Sequence, residues 1–224
     1  MKKYSYIGIS FVILVFGIWV VNEFRQRFGQ NDNMAVVGPA PKFTLTNQHG
    51  KTITPENMKG KVYVVDFFFT SCPSICPVMT ENLKEVQNEF YGNPNFGILS
   101  VSIDSKFDSP EVLKKYADKH QIKNQNWHFL TGDKEAISTL ANAGFNIYVD
   151  ASEKINGEFQ HSGMFALIDK EGNIRSRKDD FGNPIVYYDG LSYADAESLQ
   201  FKLGGSHKPG IVMLKEDIQK LLKE

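Results

Sequence analysis

The sequence predicts a three-layer α/β sandwich, and three observations carry that expectation. Two runs, "KVYVVDFFFT" (residues 61–70) and "FGILSVSID" (96–104), are too continuously apolar for half-exposed strands and fit central strands buried on both faces. Each is followed by a segment with the 3.6-residue apolar period of a helix. The C-terminal part then adds a hairpin pattern and one amphipathic helix, which completes a sheet covered by helices.

The elements follow in chain order. Residues 1–22 read as an N-terminal transmembrane anchor: Tyr4 to Val21, "YSYIGISFVILVFGIWVV", carries no charge. As a helix that run rises about 27 Å, close to the roughly 30 Å of a bilayer's apolar core. Lys2 and Lys3 precede it, and Trp19 stands near its far end, where an interfacial aromatic belongs. A cleaved signal peptide would have a shorter apolar core and small residues at the cleavage site. "WVVNEFRQRFGQ" has no such residues, and no cysteine is there to take a lipid. Arg25 and Arg27 nearly balance Lys2 and Lys3, so charge alone does not orient the span; the short head before it favours export of the larger part.

Residues 23–38, opening with the polar "NEFRQRFGQNDN", read as a linker, and residues 39–224 as one domain. Phe43 and Leu45, a His-Gly turn and a second run around Ile53 predict a hairpin. "PVMTENLKEVQNEF" predicts a helix with Val78, Met79, Leu83, Val86 and Phe90 inward. Another opens at Ser109 as N-cap with Pro110 first in the helix. "WHFLTG" reads as a short strand or loop, and "DKEAISTLANAGF" as a helix. "MFALIDKEGNIRSR" reads as a hairpin turning at Glu171-Gly172-Asn173, residues 178–209 as a Gly-rich loop-bearing insertion, and "IVMLKEDIQKLLKE" as the closing helix.

The chain has 224 residues, a formal net charge of −1 and an ordinary globular composition, which excludes a polyanion-binding protein such as a nucleic-acid binder. Its two cysteines, Cys72 and Cys76, both lie in "FFFTSCPSICPVMT", between a buried strand and the next helix. Open α/β sheets place their sites at such carboxyl ends. Pro77 suits the first helical position, which would put the Cys76 sulfur near unpaired N–H groups and the positive end of the helix dipole, lowering its pKa.

Several chemistries compete for this pair. A structural disulfide would close too small a loop to stabilise much. Thioredoxin-type reductases space their cysteines C-x-x-C, one residue closer, and C-x-x-C-H for haem is absent. Structural zinc would need two further ligands. Two soft thiolates with one imidazole suit copper. Of the five histidines, His49 (in a turn), His120 (at a helix end) and His207 (in the late loop) read as solvated, and His128 as half-buried at a strand start. His161, in "EFQHSGMFALID", comes just before a buried strand, on a loop that such a sandwich sets beside the cysteine turn. Read from the residues alone, His161 stays open between a ligand and a locally bonded loop histidine.

Together "FFFTSCPSICPVMT", "HSGMFALIDKEGNIR", "YYDG" (187–190) and "LKEDIQKLL" resemble the Sco (SenC/PrrC) proteins over residues 39–224. The resemblance implies a membrane-anchored, thioredoxin-like domain that binds copper, as Cu(I) or Cu(II), and helps assemble the dinuclear copper site of cytochrome c oxidase. It maps the metal ligands onto Cys72, Cys76 and His161. It implies a periplasmic or equivalent outer-face location, the copper-bearing oxidase subunit as partner, and other copper chaperones as further partners. The family's hairpin insert matches the pattern at "FTLTNQHGKTIT". Two departures stand out: Ser74 occupies a position between the cysteines that is commonly acidic in the family, and residues 191–210 are longer and richer in Gly. Asp104 matches an often acidic position, read as serving partner contact or loop structure.

Three functions follow. One is a copper metallochaperone; the second is a thiol–disulfide oxidoreductase using Cys72 and Cys76 as redox pair, with Cys72 attacking. That second case would bring enzymatic turnover, which the chaperone does not. The third is a peroxidase suggested by Thr70, although its spacing from Cys72 is one residue short of the Thr-x-x-Cys that chemistry uses.

Overall fold

The computed structural model describes residues 10, 13–21, 34–155, 158–179, 181–191 and 210–224. They divide into two units, Met1–Met34 and Ala35–Glu224. In the first, residues 13–21 are helical with exposed side chains. Among the described residues no helix is long and apolar enough to cross a membrane. The rest of the anchor expected over residues 1–22, and residues 23–33 of the expected linker, lie outside the described residues, as do His207 and most of the Gly-rich segment.

In the second unit the chain forms β1 (Ala35–Pro39), β2 (Leu45–Asn47), β3 (Thr52–Ile53), β4 (Val62–Phe68), α1 (Ile75–Glu89), β5 (Phe96–Ser102) and α2 (Pro110–Lys119). Next come β6 (Trp127–Thr131) and α3 (Lys134–Thr139), which widens into a π-helical stretch, Leu140–Phe145. Then follow β7 (Val149–Ile155), β8 (Glu158–His161), β9 (Met164–Ile168), β10 (Asn173–Ser176), β11 (Tyr188–Asp189) and α4 (Gly210–Lys223).

The main sheet has the order β1-β10-β9-β4-β5-β6-β2-β3. β4, β5 and β6 are parallel at its centre, and β9 closes against β4 antiparallel. β11 pairs with Met164 and Phe165 of β9, while β10 pairs with Leu167 and Ile168. All seven residues of β4 and all seven of β5 are buried, as their unbroken apolar runs require. Burying each large apolar side chain is worth about 1.5–3 kcal/mol.

Adjacent strand residues point to opposite faces, so Phe67 and Phe68 locate the two helical layers. Phe68 meets Tyr116 of α2 at 5.4 Å, and Tyr116 bonds Thr80 of α1 through their hydroxyls at 2.8 Å. α4 shares this side, with Lys215 3.3 Å from Glu89 of α1. Phe67 instead meets Phe145, at the end of the π-helical stretch, edge-on at 6.1 Å. Helices therefore cover both faces, and the expected three layers are present.

Several local expectations shift. α1 begins at Ile75, with Ser74 as N-cap, two residues ahead of Pro77. A third-position proline is tolerated because the first-turn N–H groups lack helical partners anyway. Val78 is exposed, while Met79, Leu83, Val86 and Phe90 are buried as expected. In the β9–β10 turn Asp169 Oδ1 accepts the N–H groups of Glu171 and Asn173, and Gly172 takes φ +85°. Asn173 itself starts β10. "WHFLTG" is a strand, β6. The last residues of the stretch read as linker form β1, and the insertion contributes β11. The β7–β8 ribbon, a separate two-stranded sheet, has no counterpart in the sequence reading. Most of its side chains are exposed or half-buried, so no alternating apolar pattern announces it.

Candidate metal centre

Cys72 sits in the turn that leaves the buried end of β4, and Cys76 in the first turn of α1. Asp108, fully buried, anchors that turn: it accepts the Thr70 N–H at 2.9 Å, the Thr70 hydroxyl at 2.5 Å and the Ser102 hydroxyl at 2.5 Å. The end of β5 and the residues before Cys72 thus share one carboxylate. Thr70, the residue behind the peroxidase reading, spends its hydroxyl on this loop contact.

Both thiols are free and buried. Across the turn stands His161, the last residue of β8, with Nε2 3.2 Å from Cys76 Sγ. Its Nδ1–H donates to the Ser162 carbonyl at 3.3 Å, which leaves Nε2 facing the sulfurs. Phe69 supports the imidazole edge-on at 5.7 Å. The two sulfurs and one ring nitrogen of His161 give three donor atoms all within 4.8 Å of one another. Among the described residues no other group of three histidine, cysteine or acidic side chains comes this close.

The pair shares its protons unequally. The Cys72 thiol is drawn down to about 3, first by hydrogen bonding from Cys76, then by His161 and by the backbone N–H groups of Cys76 and Ser74, against the opposing effect of burial. Cys76 is pushed the other way by the Cys72 sulfur and by its own deeper burial. This reverses the expectation for Cys76. Because α1 starts at Ile75, the open N–H groups at its N-terminus serve the Cys72 sulfur. Cys72 is the thiolate, and Cys76 holds the proton.

A third titratable group lies beneath. Asp66 is the lone charge in β4; burial pushes its carboxyl up to about 7, opposed by the Ser100 hydroxyl and the charge of His161. Ser100 donates to it at 2.6 Å and accepts the Trp127 indole N–H at 3.0 Å. A single Asp inside "VYVVDFF" was a legible signal that the sequence reading passed over. Asp108 and Glu158, below, carried no comparable signal.

The other described histidines stand apart. His49 is exposed in the β2–β3 turn, and His120 caps α2, stacked on Tyr116 and 3.1 Å from Glu81. His128, on β6, lies 3.3 Å from the Asn47 amide and is pushed down to about 4 by burial. Asp104 pairs with Lys154 at 3.4 Å, and its carbonyl accepts the N–H groups of Phe107 and Asp108, so it shapes the loop. In "YYDG", the Tyr188 hydroxyl donates to Asp217, and the Gly190 N–H donates to the Gly163 carbonyl, two residues beyond His161.

A family model described as SCO1/SenC matches residues 32–192, most of the chain. The chain belongs to the SCO1/SenC family. The SCO1 protein homolog of Bacillus subtilis is 37% identical over 136 residues, 59% of this chain and 69% of that protein. The solved BsSco, described as a member of the Sco family of cytochrome c oxidase assembly proteins with a disulfide switch, superposes at a TM-score of 0.64. That match has 25% identity and covers 86% of this chain and 99% of that one. Copper-bound ScoI of Bradyrhizobium japonicum shares the fold, with a TM-score of 0.59, 19% identity, and 82% and 99% coverage. The sandwich is thus the thioredoxin-like Sco fold. In this Sco chain the cysteine turn and His161 both fall within the matched segment.

Proposed function

We propose that this Sco protein is a copper metallochaperone: Cys72, Cys76 and His161 bind copper, and the chain delivers it to the dinuclear copper site of cytochrome c oxidase. The observation that carries the reading is the convergence of two sulfurs and one imidazole nitrogen from distant parts of the chain. Three donors held about 2.0–2.3 Å from one ion lie about 3.7–4.0 Å apart, so an inward shift of less than about 1 Å lets these atoms meet one ion. Soft thiolates with imidazole favour copper over harder ions. Family membership and the copper held by a solved relative of the same fold agree with that choice.

Membership also supports the remaining parts of the reading. Residues 1–22 anchor the chain, the stretch ahead of β1 tethers it, and the domain works on the periplasmic or equivalent outer face. The uncharged run from Tyr4 to Val21 supports the anchor.

X-ray absorption of the copper-loaded, reduced protein is expected to show two sulfur ligands and one nitrogen. His161→Ala should lower copper affinity at least tenfold while Cys72 and Cys76 still oxidise to a disulfide. A purely oxygen and nitrogen shell, or unchanged affinity in that variant, overturns the assignment.

One observation favours a second reading, thiol–disulfide exchange with the oxidase's own copper-site cysteines: the Cys72 thiolate beside the protonated Cys76. Cys72 would attack a target disulfide, forming a mixed disulfide and releasing one target thiolate. Cys76, after losing its proton, would then attack Cys72 Sγ and release the second, leaving the target reduced and this pair oxidised. A disulfide cannot supply thiolate ligands, so the two roles exclude each other at any instant.

A further inference from the structure

The three donors come from two separately built pieces. Cys72 and Cys76 belong to the β4–α1 turn of the main sheet, whereas His161 ends the β7–β8 ribbon, which forms no ladder with that sheet. The imidazole is thus held against sulfur by side-chain contacts together with the short chain from His161 into β9.

At its base a backbone bond closes the ribbon across its own two strands, and an amide ties it to the π-helical stretch. Ser162 N–H donates to the Tyr148 carbonyl, and the Asn142 amide brackets Val149. Along its length Phe159 and His161, on one face of β8, both rest against Phe69. Lys154 lies 4.9 Å from the Phe159 ring and 3.4 Å from Asp104. Near its tip the ribbon reaches the cysteine turn directly: the Ser74 hydroxyl donates to Glu158 Oε2 at 2.5 Å. Ser74 is the N-cap of α1, midway between the cysteines, yet its hydroxyl makes no capping bond. That hydroxyl lies 3.7 Å from Cys72 Sγ.

We propose that Ser74 and Glu158 form a clasp that sets the third ligand: by tying the ribbon tip to the cysteine turn, they hold His161 Nε2 within reach of an ion on the two sulfurs. They are positioning residues that do not touch the ion themselves. The proposal rests on Cys72, Cys76 and His161 being the copper ligands. The hydroxyl–carboxylate bond is charge-assisted, and it joins two segments 84 residues apart. Releasing it leaves Phe159 and Lys154 to keep the ribbon down, so the imidazole samples positions away from the sulfurs and the ion loses nitrogen occupancy.

The test uses the reduced full-length chain with Cu(I) competed against a chromophoric chelator, and amide hydrogen exchange of the metal-free protein. Ser74→Ala and Glu158→Ala should each weaken Cu(I) binding about threefold to tenfold. The double variant should lose no more than either single one. The exchanged pair, Ser74→Glu with Glu158→Ser, should regain affinity. In a His161→Ala background the same substitutions should have no effect, because the clasp acts only through the imidazole. Without metal, Phe159, Gln160 and His161 should exchange faster in either single variant. Unchanged affinity in Glu158→Ala, or a loss that persists in the His161→Ala background, overturns the clasp. Should the parent protein bind Cu(I) without the three ligands, the metal assignment fails. The metal-free exchange then decides the clasp alone, with faster exchange supporting it and unchanged exchange overturning it.

Discussion

At Cys72 and Cys76 one proton separates the free site from the ligand set. The Cys72 thiol, drawn down to about 3, is ionised throughout the neutral range, and Cys76 retains its proton. Copper binding must therefore expel about one proton near pH 7, from Cys76, and the metal is favoured as pH rises. The expected outcome is a slope of about +1 in log affinity against pH between 6 and 8, read by competition titration; a slope near +2 would mean two protonated thiols. Asp66 makes a second pH-dependent contribution. Its folded pKa of about 7 lies above the ordinary carboxylate value of 3.8. Between about pH 4 and 7 the unfolded chain ionises this group while the folded chain does not, so the raised pKa costs stability as pH climbs. The full difference is on the order of 4 kcal/mol. Asp66→Asn should lose this decline, seen as a flatter urea-unfolding stability between pH 5 and 7.5 than in the parent protein. Both cysteines were legible as a candidate site from spacing and position, whereas His161 stayed open on the residues alone and was implied by the Sco resemblance. Which sulfur ionises was not legible, because that depends first on the hydrogen bond between the two cysteines and on the deeper burial of Cys76.

At the scale of elements, β4 and β5 were readable because burial on both faces leaves an unbroken apolar run. α2 was readable because Ser109 and Pro110 mark its start; the Ser109 hydroxyl accepts the Val112 N–H. β7 and β8 were not, since a ribbon with few buried side chains leaves no periodic signature. Strand β11 escaped notice too, although its neighbour Gly190 fixes the segment after His161. A Cβ at Gly190 would lie 2.5 Å from the Phe165 ring and 2.8 Å from the Gly163 carbonyl. Gly190→Ala is expected to push β11 off β9, lowering stability by about 1–3 kcal/mol. It should weaken copper binding as well, because the Gly163 contact sits two residues from His161, the proposed ligand. Thermal unfolding and the competition titration measure the two effects separately.

At the scale of the whole molecule, the proposed function joins an anchored chain, a copper site and an oxidase target. A deletion strain should assemble copper-poor oxidase. Rescue by added copper supports delivery, whereas rescue by a reductant alone supports thiol exchange. The sequence by itself determined the layer order, the strand-to-helix turn that carries both cysteines, and the Sco resemblance, because apolar periodicity and motif spacing are local properties of the chain. Only the tertiary structure decided that His161 meets those cysteines, that Cys72 is the thiolate, and that Asp108 and Glu158 hold the pieces together. Those contacts join residues 38 to 85 positions apart. They exist because the parallel centre of the sheet and the ribbon bring distant segments to one edge, and no local pattern of residue types records that approach.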